Sequence, residues 1–309
     1  MLQRIKERLF PKRNHTIVAD IIQHLEEIRK DSGTIVLYGS ATEGSWKGIV
    51  HATIGLYPNN SLEIPQWYSN PVLRKSETIQ LCKHINALKF ERIIFSGFAP
   101  YLFTWMELMD EELAIEVLYH GTISEFHDVN QQNFIQQLIA FGKSGKIKRF
   151  GFVKVGLAEV FTKLYAFNCF HQPLAPPSTP QEIKKIELDK TKIHIGVFGA
   201  DTFNKNLHNQ VIHALMIDKV IVHVLDKTIF NYLGMNERIV GHGNNLPREQ
   251  FLSILGSMDL NLYMSFNESW GLVAKESEAL GVKALNIENT DYLKSIQLEI
   301  AVLKEQKRS

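Results

Sequence analysis

The stretch Asn267-Glu-Ser-Trp-Gly-Leu-Val-Ala-Lys-Glu-Ser-Glu-Ala-Leu-Gly281 says more about the fold than any other part of this chain. It follows an apolar, strand-like run at Leu260–Met264, and its pattern predicts a helix opening at about Trp270 with Ser269 as the cap. Gly271 would let another group approach the backbone of the first turn. A helix start behind a strand presents unpaired N–H groups and the positive end of a dipole, which together suit phosphate. Glu268 lies before this helix and Glu276 in its second turn, roughly 9–10 Å apart along the axis at helical rise. Ionised carboxylates only accept hydrogen bonds, so each can take a pair of sugar or ribose hydroxyls.

Working outward, Phe198-Gly-Ala-Asp-Thr-Phe-Asn-Lys-Asn206 reads as a strand end, a turn and a helix start, with Lys205 a counter-charge for a diphosphate. Short β-branched runs alternate with amphipathic stretches along the whole chain, the pattern of β-α units around parallel sheets. Strands are predicted at Thr34–Tyr38, Arg92–Ser96, Ile115–Tyr119 and Phe150–Lys154. A second series is predicted at Ile193–Phe198, Val220–Leu225, Arg238–Gly241, Leu260–Met264 and Ala284–Ile287. Helices are predicted at Lys75–Leu88, Pro100–Met109, Asn130–Phe141, Leu157–Phe167, Asn206–Met216, Arg248–Leu255 and Trp270–Leu280. Between the two series, Gln172-Pro-Leu-Ala-Pro-Pro-Ser-Thr-Pro180 carries four prolines, through which neither sheet nor helix should pass. The expectation is two Rossmann-like, doubly wound α/β domains, over 1–178 and 179–309, facing each other across a cleft at the carboxyl ends of their strands.

Composition narrows the classes. At 309 residues, a typical domain of roughly 150 gives two domains. The 45% hydrophobic content suffices for ordinary cores. Lys and Arg number 34 against 33 Asp and Glu, with 19 against 17 up to Pro180 and 15 against 16 beyond it. No nucleic-acid partner is expected from so even a balance. Cys82 and Cys169 offer neither a disulfide framework nor metal-ligand spacing. Arg4, Lys6 and Arg8 interrupt any signal-peptide core, and no window reaches the roughly 18 apolar residues of a membrane span. A cytoplasmic protein is expected. Leu2, Ile5 and Leu9 share a helical face ringed by basic residues, which could touch an anionic membrane surface, although a solvated helix is the simpler account.

These residues carry a resemblance. Glu268-Ser-Trp-Gly-Leu-Val-Ala-Lys-Glu276, closed by Gly281, resembles the E-x7-E motif of retaining GT-B glycosyltransferases of the family-4, or group 1, type. Ile239-Val-Gly-His-Gly243 followed by Arg248-Glu-Gln-Phe-Leu resembles that family's nucleobase-side loop and next helix, and Gly199 to Lys205 resembles its G-R-x-x-x-x-K. The likeness is specific over 193–289 and only architectural before that. It implies a nucleoside-diphosphate-sugar donor held by Gly199, Lys205, Gly243, Glu268, Gly271, Leu272 and Glu276, with Glu276 on the ribose and Glu268 by the transferred sugar. It implies an acceptor that is a glycan, a lipid-linked molecule or a small hydroxyl compound, no cofactor and no metal. Two departures stand out. Ala200 occupies the place of the family arginine, and only 28 residues follow Gly281, where family members usually continue into a longer tail.

In the first domain, Tyr119-His-Gly-Thr-Ile123 follows a predicted strand, so His120 is expected to face the donor sugar; a histidine satisfied by local backbone is the alternative. Gly39-Ser-Ala-Thr-Glu-Gly-Ser-Trp-Lys-Gly48 resembles a phosphate loop but has Ser45 where the lysine belongs. Gly39, Ser40 and Gly44 therefore read as an acceptor-side loop, or as a surface loop without a ligand. The function expected is sugar transfer with retention, catalysed through His120, Glu268 and Lys205, in glycan or cell-surface polysaccharide synthesis. The alternatives are a nucleotide-sugar epimerase on the same fold and a non-catalytic sugar-nucleotide-binding partner subunit, which Ala200 favours.

Overall fold

The computed structural model describes residues 16–40, 47–65, 73–97, 99, 101–122, 129–174, 183–286 and 292–306. The proline-rich stretch 175–180, the basic face at Leu2, Ile5 and Leu9, and Gly44 lie outside them. By backbone packing the chain divides into two compact units, changing over between Gln172 and Pro173, with residues 47–55 and 121–122 grouped with the second.

In the first unit, helix α1 (Thr16–Asp31) buries Ile21, Leu25 and Ile28, an i, i+4, i+7 stripe that the sequence reading passed over. The chain continues through β1 (Thr34–Gly39), α2 (Lys47–Leu56, which groups with the second unit up to Gly55), β2 (Ser61–Ile64), α3 (Lys75–Leu88), β3 (Arg92–Ser96) and α4 (Tyr101–Leu108). It then runs through β4 (Ala114–Tyr119), α5 (Val129–Lys143), β5 (Ile147–Phe152), α6 (Leu157–Tyr165) and β6 (Cys169–His171). The six strands lie parallel in the order β2-β1-β3-β4-β5-β6. Central strands such as Thr34-Ile-Val-Leu-Tyr-Gly39 are apolar on both faces because helices cover both. The strand predicted at Phe150–Lys154 instead starts at Ile147, since Ile147 is buried while Lys148 and Arg149 sit between it and the apolar run.

The second unit holds β7 (Ile193–Val197), α7 (Leu207–Leu215), β8 (Val220–Val224), β9 (Ile239–Gly241) and α8 (Arg248–Leu255). It continues through β10 (Leu260–Leu262), α9 (Leu272–Ala279), β11 (Ala284–Leu285) and α10 (Tyr292–Gln306). Its parallel order is β11-β10-β7-β8-β9. One face packs Ile193, Ile195, Val197, Val220, Val222 and Val224 against Val211, Phe230 and Ile300. The other face carries Phe198 against Leu252, Leu255 and Met258.

That second face also carries a line of three histidines. His194 Nδ1 lies 2.9 Å from His223 Nε2, and His223 Nδ1 lies 2.8 Å from His242 Nε2. At the far end His194 Nε2 meets the Asp189 carbonyl at 2.9 Å. A carbonyl only accepts, so His194 donates from Nε2 and its Nδ1 must accept from His223; His223 in turn accepts from His242. Every tautomer in the line is thereby fixed for the neutral state.

Candidate functional site

The carboxyl edge of the second sheet is built around the start of α9. The helix opens at Leu272, two residues later than expected, and Ser269 does not cap it. Gly271 is the N-cap, with φ at 74°, and no side chain bonds the first turn. A left-handed residue ends the loop abruptly there, and glycine adopts that conformation without the steric penalty a Cβ brings. The Tyr263 ring underlies it, 3.4 Å from where a Cβ would stand. The first-turn N–H groups thus keep the anion-binding character the sequence suggested.

Polar latches hold the flanking loops in place. In β10, Asn261 Nδ2 donates to the Leu255 carbonyl at 3.1 Å and to Ser277 Oγ at 2.7 Å, tying α8 and α9 to the strand. Ser277 donates onward to the Val282 carbonyl at 2.8 Å. Gly196 makes room for this knot, because a Cβ there would collide with the Asn261 side chain and the Phe198 ring. Asn206 donates to the Met264 carbonyl at 3.1 Å, and Gln210 accepts from Met264 N at 2.9 Å while donating to the Lys205 carbonyl at 2.8 Å. The Lys205 turn and the strand leading to Glu268 are therefore one hydrogen-bonded piece.

On this frame the charges pair off. Lys205 Nζ lies 2.5 Å from Glu268 Oε1 and 3.4 Å from the Tyr263 hydroxyl. The buried Tyr263 phenol is pushed well above its ordinary value, first by burial and then by the Glu268 carboxylate it bonds. Glu276 is 6% exposed and its Oε1 lies 2.6 Å from Arg248 Nη1. Burial raises the Glu276 carboxyl above the usual range, against the pull of Arg248. The structure thus gathers Lys205, Glu268, Gly271, Leu272 and Glu276 around one helix start. Sequence reasoning missed Tyr263 and the role of Arg248 as partner of Glu276. Neither pairing has a local signal, since each joins elements far apart in the chain.

Gly199 follows Phe198 at the end of β7 and packs near the Lys205 stem and Leu207. It lines a small cavity of about 80 Å³ with Asp201, Val224, Asp226 and Asn244. Gly243 sits in the loop after β9, where its N–H donates to the Leu225 carbonyl at 2.8 Å.

In the first unit, His120 follows β4 directly and is 8% exposed. Its Nε2 meets Ser96 Oγ at 3.0 Å, and burial pushes its pKa down to about 4, so the ring is neutral at pH 7. Gly39 closes β1, and Ser40 donates from both N and Oγ to the Ile64 carbonyl, at 3.1 and 3.2 Å. Among the described residues no group of three or more His, Cys, Asp or Glu side chains could hold a metal ion. Nor is any described helix long and apolar enough to cross a membrane.

No family profile matches the chain, and no curated protein matches it in sequence. Solved structures do match. Anabaena HepE in complex with UDP and glucose superposes with a TM-score of 0.60 at 10% identity, covering 88% of this chain and 90% of that one. Sucrose-phosphate synthase from Thermosynechococcus elongatus gives 0.59 at 9% identity, with 88% and 90% covered. A S. aureus TarM variant in complex with fondaparinux, α-GlcNAc-glycerol and UDP gives 0.52 at 12% identity, with 69% of this chain covered. The chain spans about half of that protein's length, 48%. Identities this low speak to fold alone, and the fold is that of the GT-B glycosyltransferases, Rossmann-like α/β units with parallel sheets.

Proposed function

We propose that this protein is a glycosyltransferase that moves a sugar from a nucleoside-diphosphate donor to a hydroxyl acceptor with retention of configuration. The observation that carries the reading is the convergence of Lys205, Glu268, Glu276 and the uncapped first turn of α9 at the carboxyl edge of the second sheet. Ligands of open parallel sheets bind at that edge. HepE and the TarM variant, which share the fold, were each solved with UDP.

In this reading the diphosphate rests on the first-turn N–H groups at Leu272, with Lys205 turning from Glu268 toward the phosphate. Glu276 accepts from the ribose hydroxyls, and Glu268 accepts from the transferred sugar. Gly199 and Gly243 lie on the donor side. The bond from the anomeric carbon to the β-phosphate oxygen breaks as the acceptor oxygen bonds that carbon on the same face. The acceptor's proton passes to the departing phosphate, whose growing charge Lys205 and the helix N–H groups stabilise. The acceptor would be a glycan, a lipid-linked molecule or a small hydroxyl compound.

The test is incubation with UDP-sugars and a panel of such acceptors, with released UDP measured and the product anomer assigned by proton NMR. Released UDP with a product of the donor's anomeric configuration supports the reading. Tight UDP binding with neither transfer nor hydrolysis would favour a non-catalytic sugar-nucleotide binder, the reading that Ala200 supports. Donor epimerised at a ring carbon without acceptor would indicate an epimerase.

A further inference from the structure

Two arginines are described in the second unit, and the structure uses them differently. Arg238 donates from Nε, Nη1 and Nη2 to the carbonyls of Val220, Leu215 and Ile217, at 3.1, 2.9 and 2.6 Å. Those bonds occupy all three of its nitrogens and tie strand to helix end. Arg248, the first residue of α8, contacts Glu276 from Nη1 alone, and its guanidinium makes no other hydrogen bond among the described residues. Its side chain remains 30% exposed, whereas that of Glu276 is nearly sealed. A guanidinium carries five N–H donors in a planar fork, so one carboxylate oxygen leaves a second edge for another acceptor.

The surroundings favour an anion on that edge. Glu276 lies one turn beyond Leu272, which places the Arg248 head close to the open first turn of α9. Lys47 and His51 of α2 stand nearby. The His51 imidazole is held below its ordinary value by burial first and then by the charges of Arg248 and Lys47. A Cβ at Gly48 would lie 3.0 Å from Leu272 Cδ1, so this end of α2 sits against the first residue of α9. Arg248 faces the Glu276 carboxylate beside a helix start that is itself positive, and Lys47 adds a second positive charge around the same His51 ring. The local balance invites negative charge.

We propose that Arg248 is a phosphate-binding residue: it keeps Glu276 on one edge of its guanidinium and takes a phosphate oxygen of the bound nucleoside diphosphate on the other. It would supply the second cation for which the sequence offers only Ala200. Arg248 would also couple the two halves of the donor, since the carboxylate it orients is the one assigned to the ribose. The proposal rests on the donor-site reading given above.

Calorimetric titration with UDP and with uridine tests it, on the wild type and on Arg248→Gln and Arg248→Lys. Arg248→Gln should weaken UDP about tenfold to hundredfold, the loss of a charge-assisted bond, and weaken uridine, whose ribose still meets Glu276, much less. Arg248→Lys should restore part of the UDP affinity. Because Arg248→Gln leaves Glu276 without its cation, the pair Glu276→Gln and Arg248→Gln/Glu276→Gln provides a second comparison with neutral amides. The double variant should show a smaller preference for UDP over uridine than Glu276→Gln alone. Equal weakening of UDP and uridine would make Arg248 a partner of Glu276 only, and unchanged UDP affinity would remove it from the site; either overturns the proposal. Failure of the wild type to bind UDP or uridine would overturn the donor-site reading and this inference with it.

Discussion

Protonating the middle of the histidine line should destabilise the second unit in acid. His223 is held down to about 3, by burial first and then by His242 and His194, against 6.5 for an ordinary histidine. A proton added to His223 would set N–H against N–H toward His242, at a ring that is itself only 2% exposed. The folded pKa lies below the unfolded one, so this stability is complete above pH 6.5 and is lost as pH falls toward 3. Each pH unit in that window costs about 1.4 kcal/mol, so the loss reaches about 2–3 kcal/mol by pH 4.5 and about 4–5 kcal/mol by pH 3. Natural domains hold only about 5–15 kcal/mol, so the effect is large enough to see. His223→Gln retains one donor and one acceptor but does not titrate. The assay is urea unfolding between pH 7 and 4, with amide exchange in β7, β8 and β9 reporting on this unit. The wild type should lose stability more steeply than His223→Gln. Parallel pH profiles for the two proteins would refute the reasoning.

Other outcomes follow from individual contacts. Gly196→Ala should destabilise the second unit by about 1–3 kcal/mol, because the new Cβ meets Asn261 and Phe198 inside a packed layer; an unchanged thermal midpoint would contradict this. Arg238→Ala should cost about 2–4 kcal/mol in urea unfolding, since three buried-side carbonyls lose their charged donor. Lys205→Ala should weaken UDP about tenfold to hundredfold and uridine far less, measured by calorimetry; equal weakening would show that Lys205 does not hold phosphate.

Much of this architecture is legible in the sequence, for reasons particular elements make plain. Lys75–Leu88 and Arg248–Leu255 carry clear helical periodicity and ordinary boundaries, and the structure returns both as read. Arg92–Ser96 is likewise a short β-branched run with polar flanks. The strands that escaped, Ser61–Ile64 and Cys169–His171, are both edge strands of four and three residues, too short for any period to register. The helix Thr16–Asp31 had a visible stripe at Ile21, Leu25 and Ile28, diluted by the charged residues around it. The E-x7-E stretch located the helix start to within two residues, and the miss came from Gly271 adopting a left-handed conformation. What could not be read is pairing at a distance. Lys205 with Glu268, Arg248 with Glu276, and His194 with His223 and His242 each join separate strands or helices, and only the folded sheet brings them together.

The central claim, a nucleoside-diphosphate site at the start of α9 with Glu276 on the ribose, is tested most directly by calorimetric titration of UDP into the wild type and into Glu276→Ala. The account predicts saturable binding to the wild type, and weaker binding of both UDP and uridine to a variant that keeps its far-UV circular dichroism. Unchanged UDP affinity in Glu276→Ala, or no heat of binding in the wild type, would contradict it.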